Sequence, residues 1–169
     1  MECSDLVARL ENSIPDPHQG LPEEVFLFLS RITPLINVDL LIQDDQGGTL
    51  LTWRDDAFPP PGWHVPGGII RFKETAATRI QAVARRELGA EVMFEPAPVA
   101  VNEIIHPTRK IRGHFISLLY RCHLTVPPDA TRCYRTGTPK PDDWMWHSVY
   151  PLDMIPVHEI YRPFFQRTP

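Results

Sequence analysis

Two glutamates, Glu74 and Glu87, bracket a stretch of helical periodicity, and a Pro66-Gly67-Gly68 turn stands just before the first of them. At 100° per residue, Ala76, Ile80 and Val83 project within roughly 40° of Glu87, so a carboxylate lies in line with the stripe that should face the core. It also occupies the last turn, where the helix dipole disfavours negative charge by some tenths of a kcal/mol. Helix stability gives no reason for it. Arg79, Arg85 and Arg86 are charged positions expected on the surface. Glycine has no Cβ, so the turn lets backbone carbonyls and amides approach a ligand closely. A carboxylate with backbone carbonyls is hard-oxygen ligation, suited to Mg²⁺ and the phosphates it carries. The competing reading is a wet acid where the stripe emerges into solvent.

The elements that must position these groups follow from periodicity and punctuation. Asp5 to Ser13 is expected as a helix, and Leu21-Pro22-Glu23-Glu24 places Pro and acids at the start of a second that runs to about Ile32 and is stopped by Pro34. Leu35 to Ile42 is a β-branched and leucine-rich strand, and Asp44 to Gly48 turns it into a second strand, Thr49 to Arg54, predicting a hairpin. A proline-rich loop, Ala57 to Gly62, leads to a short strand and a tight turn at Trp63 to Gly68, and the loop Asp55 to Gly62 is placed to shape substrate choice. The helix runs from Thr75 to Leu88, with Gly89 at the left-handed cap. Strand-like runs follow at Glu91 to Phe94, Val99 to Ile105, His114 to Leu124 and Trp144 to Val149, then a short helix at Val157 to Phe165. Strands on both sides of one central helix, with helices at the chain ends, predict an α/β fold with a mixed sheet between helices.

The 169 residues, 43% apolar and 22% charged, are expected to form one domain over 1–169, with 1–30 as a helical extension able to reach a neighbouring subunit. With 17 Lys+Arg against 21 Asp+Glu the net charge is -4, which recruits neither nucleic acid nor an anionic membrane. Cys3, Cys122 and Cys133 form no metal spacing and no even disulfide set, so a reducing cytoplasm is expected. No apolar run approaches the roughly 18 residues of a membrane span.

Gly68-x5-Glu74-x7-Ala82-Val83-Ala84-Arg85-Arg86-Glu87-Leu88-Gly89 resembles the Nudix box, G-x5-E-x7-R-E-U-x-E-E-x-G-U with U aliphatic, without a gap. Ile32 to Arg54, Gly62 to Gly68 and Arg86 to Gly89 look most like the GDP-mannose mannosyl hydrolase branch of that superfamily. The resemblance implies an α/β/α sandwich, a dimer and release of a sugar from a nucleoside-diphosphate sugar by attack at its anomeric carbon. It implies one Mg²⁺, with Mn²⁺ as a substitute, on Glu87 and the Gly67 carbonyl. It places Arg54 on the diphosphate and gives Asp39 a supporting polar role at the substrate.

The departures bear on mechanism. Ala82, Val83 and Arg86 stand where the box has Arg, Glu and the first paired acid, and the GDP-mannose branch itself keeps a reduced acid set. That branch carries a Gln-His-Asp-Asp segment with Gln as metal ligand and His as base; aligning the aspartates puts Lys140 and Pro141 there. A protonated lysine cannot ligate Mg²⁺ and proline cannot take a proton. The substitutes are Asp142 or Asp143 in the metal shell, Glu103 as ligand or base, or His106 or His114 as base. Glu103 ranks first because it alternates with Val99, Val101 and Ile105 on one strand face. Lys140 could contact substrate phosphate directly. Trp63, Trp144 and Trp146 suit either stacking or core packing.

Overall fold

In a computed structural model that describes residues 2–56 and 60–165, two helices, α1 (Cys3–Asn12) and α2 (Glu23–Ile32), precede the sheet. The strands are β1 (Leu35–Ile42), β2 (Thr49–Arg54), β3 (Gly62–His64), β4 (Gly67–Ile69), β5 (Glu91–Phe94), β6 (Ala100–Ile105), β7 (His114–Val126) and β8 (Trp144–His147). Between β4 and β5 lies α3 (Ala76–Val83), which widens into a π-helical turn over Ala84–Leu88. The chain ends in 3₁₀ turns over Pro156–Phe165, where a short helix is expected from the sequence. The loop over 57–59 lies outside the described residues.

The main sheet runs β4-β1-β7-β5, with β6 paired to the first half of β7. β1 lies parallel to β7 from Leu35↔Phe115 to Ile42↔Cys122 and antiparallel to β4. A strand sheathed on both edges and covered on both faces reads as a continuous apolar run, and β1 is buried from Val38 onward. A second sheet, β3-β2-β8, is antiparallel.

The expected β1–β2 hairpin does not form. Asp44 closes the turn, its Oδ1 accepting from the N–H groups of Gln46 (2.9 Å) and Gly48 (2.7 Å), but only the bridge Gln43↔Thr49 joins the two strands. A strand has two hydrogen-bonding edges, and those of β1 are taken by β4 and β7. β2 therefore leaves for the second sheet.

Alternation along β1 splits the core in two. Val38, Leu40 and Ile42 pack with Ile80, Val83 and Leu88 under α3. Leu41 packs with Leu51, Trp63, Leu119 and Tyr161 against the second sheet and the C-terminal segment. Trp63 and Trp144 are core residues. Thr75 caps α3, accepting from the Thr78 N–H at 3.1 Å, and Gly89 closes it at φ 62° as the sequence requires. No helix among the described residues is long and apolar enough to cross a membrane.

His147 lies against Trp63, ring centroids 4.7 Å apart, and is 8% exposed. Burial pushes its imidazole down from 6.5 to about 4, with Asp153 opposing. A histidine kept neutral in the fold stabilises it above its unfolded pKa, and that stability fades as pH falls from about 6.5 towards about 4. Denaturant melts at pH 7 and 4.5 should differ by about 2–3 kcal/mol from this group, and His147→Phe should flatten that difference.

Candidate active site

A cavity of about 730 Å³ opens where β1, β3, β4 and the π-helical turn meet. Its polar floor is Asp39, His64, Gly67 and Glu87. Asp39 is 2% exposed and accepts hydrogen bonds from Asn37 Nδ2 (2.9 Å), Ser117 Oγ (2.5 Å) and the Tyr161 hydroxyl. Burial raises its carboxyl above the usual range, and the three donors work against that. Gly67 faces it in the register of β1 and β4. The ladder bonds pass through Leu40–Pro66 and Ile36–Ile70, so Asp39–Gly67 is a non-hydrogen-bonded pair and both Gly67 backbone groups point away from β1. A Cβ on Gly67 would come 2.1 Å from Asp39 Oδ1, so only glycine fits.

Glu87 faces inward as the periodicity predicts, 6% exposed. Its Oε2 accepts from the Gly67 N–H at 3.3 Å and lies 3.6 Å from His64 Nε2, and its Oε1 accepts from Arg86 Nη2 at 2.9 Å. Burial works to raise the Glu87 carboxyl; hydrogen bonds and charge from His64 and Arg86 outweigh it and leave the pKa lowered. Glu74 is structural: its Oε2 accepts from the Arg71 N–H (2.9 Å) and Arg79 Nε (2.8 Å). That partner explains why Arg79, expected on the surface, is only 5% exposed.

Two histidines that the sequence did not single out complete the floor. The Thr52 carbonyl, which only accepts, lies 2.8 Å from His64 Nδ1, so Nδ1 carries the proton and Nε2 faces Glu87. His158, from the C-terminal segment, accepts the Val65 N–H at Nδ1 (3.1 Å), and burial holds its pKa well below 6.5. The signal for His64 was its place two residues before the Pro66-Gly67-Gly68 segment, whose glycines lie in β4 and not in the expected turn; nothing local marked His158.

Arg54 lines the wall, bound to Asp56 (Nη2 to Oδ2, 2.6 Å), and Asp142 and Pro141 lie at the cavity's edge. Glu103 is displaced from the expected role. Along β6, Val101, Glu103 and Ile105 face out and Ile104 faces the cavity, leaving the Glu103 side chain 62% exposed beside His114 Nε2 at 3.2 Å. Lys140 is exposed and outside the cavity lining, its N–H donating to Asp143 Oδ2 at 2.8 Å in a turn. Phe26 and Leu29 of α2 line the cavity, so the N-terminal region walls this chain's own site.

No cluster of three or more His, Cys, Asp or Glu side chains suited to a metal exists among the described residues. Mg²⁺ keeps several waters and commonly takes one or two carboxylates plus substrate phosphates. The Glu87 carboxylate and the outward Gly67 carbonyl fit an ion that arrives with a diphosphate, not a resident all-protein cage. Gly67→Ala should lower stability by about 1–3 kcal/mol, the range for overpacking, read from denaturant melts.

The profile of the NUDIX domain matches residues 33–168. The low-salt glycan biosynthesis protein Agl8 of Haloferax volcanii is 28% identical over 122 residues, covering 70% of this chain and 77% of its own. Among solved structures, a MutT NUDIX hydrolase from Burkholderia pseudomallei superposes with a TM-score of 0.60 at 20% identity, covering 81% of this chain and 99% of that one. A MutT protein from Methanosarcina mazei gives 0.57 at 15% identity, covering 79% and 92%. These likenesses share the fold, and the profile match spans most of the sequence: the chain belongs to the Nudix family.

Proposed function

We propose that this Nudix protein is a Mg²⁺-dependent hydrolase of a nucleoside-diphosphate sugar of the GDP-mannose kind, with Mn²⁺ as a substitute ion. The carrying observation is the cavity floor: one box acid, Glu87, stands beside Gly67, and Arg86 occupies the preceding position and neutralises it. A site with one carboxylate for metal suits neutralising a departing diphosphate better than assembling several ions around an attacked phosphorus. The relative named for glycan biosynthesis is consistent with a sugar-bearing substrate.

Glu87 and the Gly67 carbonyl would hold Mg²⁺, which when bound supplies positive charge to the diphosphate. Arg54 binds the same group from the wall. Water forms a bond to the anomeric carbon, the carbon–oxygen bond to the diphosphate breaks, and the nucleoside diphosphate leaves with the electron pair. With Nδ1–H on the Thr52 carbonyl, His64 presents Nε2 to the cavity and takes the water proton there, a role that Lys140, Pro141 and the outward Glu103 cannot fill; the imidazolium so formed is the form that pairs with Glu87 Oε2, 3.6 Å away. Asp39, tied to Ser117 and Tyr161, holds the floor rigid. Asp142, which lines the cavity, is kept as the substitute acid for the metal shell or the base. The reading includes a homodimer, since α1 buries no residue and leaves Leu6 and Val7 exposed; a monomer mass by light scattering would remove that part.

Incubation with GDP-mannose and MgCl₂ in ¹⁸O-water, followed by phosphorus and proton NMR, should yield GDP and labelled mannose. GMP with mannose 1-phosphate would place attack at phosphorus instead, and tight calorimetric binding of a nucleotide-sugar panel without turnover would make the protein a binder. Glu87→Gln should cost at least about 100-fold in kcat, the loss typical of a key electrostatic group, while Glu103→Gln leaves the rate unchanged.

A further inference from the structure

The segment 106–113 between β6 and β7 is held to one shape. His106 Nδ1 accepts the N–H groups of Thr108 (3.3 Å) and Arg109 (3.2 Å). The Arg112 N–H donates to Ser30 Oγ of α2 at 3.1 Å, and Arg112 itself sits at φ 50°, a left-handed conformation costing roughly 1–2 kcal/mol for a residue with a Cβ. Gly113 packs so closely that a Cβ would lie 2.6 Å from the Arg109 carbonyl oxygen.

The result is that Arg109 and Arg112 both line the cavity that holds Arg54. Arg112 is braced over the Phe26 ring, 5.9 Å from its centroid, with Nη1 3.8 Å from Asp56 Oδ2; Arg54 binds the same oxygen. Three guanidinium groups thus gather around Asp56, with Asp55 beside them, in a chain of net charge -4. Burial, and after it the Arg54 charge, pushes Arg109 and Arg112 below the usual arginine range, with Asp56 opposing. Such crowding is relieved by an anion, and guanidinium forks match phosphate oxygens bidentately.

We propose that Arg109 and Arg112 join Arg54 as a clamp on the phosphate oxygens of the substrate's diphosphate, making the β6–β7 segment a binding element. The clamp rests on the nucleoside-diphosphate reading for its natural ligand, but its test needs no turnover. Calorimetry on the full chain with GDP, inorganic pyrophosphate and guanosine should show Arg109→Gln and Arg112→Gln each weakening GDP and pyrophosphate by about 10-fold or more, the range of hydrogen bonds to charged groups. The double variant should lose about 100-fold by the same measure, with guanosine binding unaltered. Lys110→Gln, exposed on the same segment and outside the cavity lining, should match the unmodified protein. Arg112→Lys should retain part of the affinity, and thermal melts will show whether each variant is folded. A folded double variant that binds GDP and pyrophosphate as tightly as the unmodified chain overturns the clamp, as does an unmodified chain that binds neither. Loss of pyrophosphate affinity in a chain that hydrolyses no nucleotide sugar would retain the clamp and overturn only the proposed reaction.

Discussion

The Asp39 carboxylate is the contact on which the rest of the site depends. It sits inside the sheet, and an ionised carboxylate there without partners would cost several kcal/mol. Its donors come from three places: Asn37 on its own strand, Ser117 on β7 and Tyr161 from the C-terminal segment. Each partner ties one part of the fold to the floor of the cavity. Across from it Gly67 leaves room for the carboxylate, and the same strand pairing turns the Gly67 N–H towards Glu87. Register, C-terminal docking and the placing of Glu87 are therefore one constraint seen from three sides.

The cavity exists because the chain declines the obvious pairing. If β2 lay beside β1 it would displace β4 or β7. By crossing to the second sheet, it brings Thr52 to His64 and Arg54 to the wall. The C-terminal segment then seals the remaining side, with His158 fixed by the Val65 N–H. An acid end and an arginine-rich wall consequently share one space, an arrangement suited to an anion that carries its own cation.

The partners of Glu87 also explain how a protein with so reduced a box keeps a usable carboxylate. Arg86 and His64 hold the carboxyl ionised despite burial. Glu74, which has the same residue type and a place on the same box, is spent on Arg79 and the start of α3. Two glutamates of one box, Glu74 just before the Thr75 cap of α3 and Glu87 on the π-helical turn, have different work because one meets a buried guanidinium and the other a glycine amide.

The periodicity of 76–83 determined the inward direction of Ile80 and Val83, because side-chain direction in an α-helix follows from the turn angle; Glu87 also faces inward, but on a π-helical turn whose wider winding the 100° spacing does not describe. Gly89 and Thr75 marked the end and start of that helix by local backbone demands. Glu103 shows the limit. Alternation correctly grouped it with Val101 and Ile105, but it states which residues share a face and not which face is covered; β6 sits beside β7 with that face to solvent. The β1–β2 pairing failed for a related reason, since competition for the edges of β1 involves β7, far away in sequence. His158, Arg109 and Arg112 carry no local pattern, and only packing brings them to the cavity. The sequence by itself determined the acid, the glycine pair and the family frame, which are local in the chain; the tertiary structure decided the partners and drew Gly67 and Gly68, expected in a turn, into strand β4, because burial and long-range pairing are properties of no single segment.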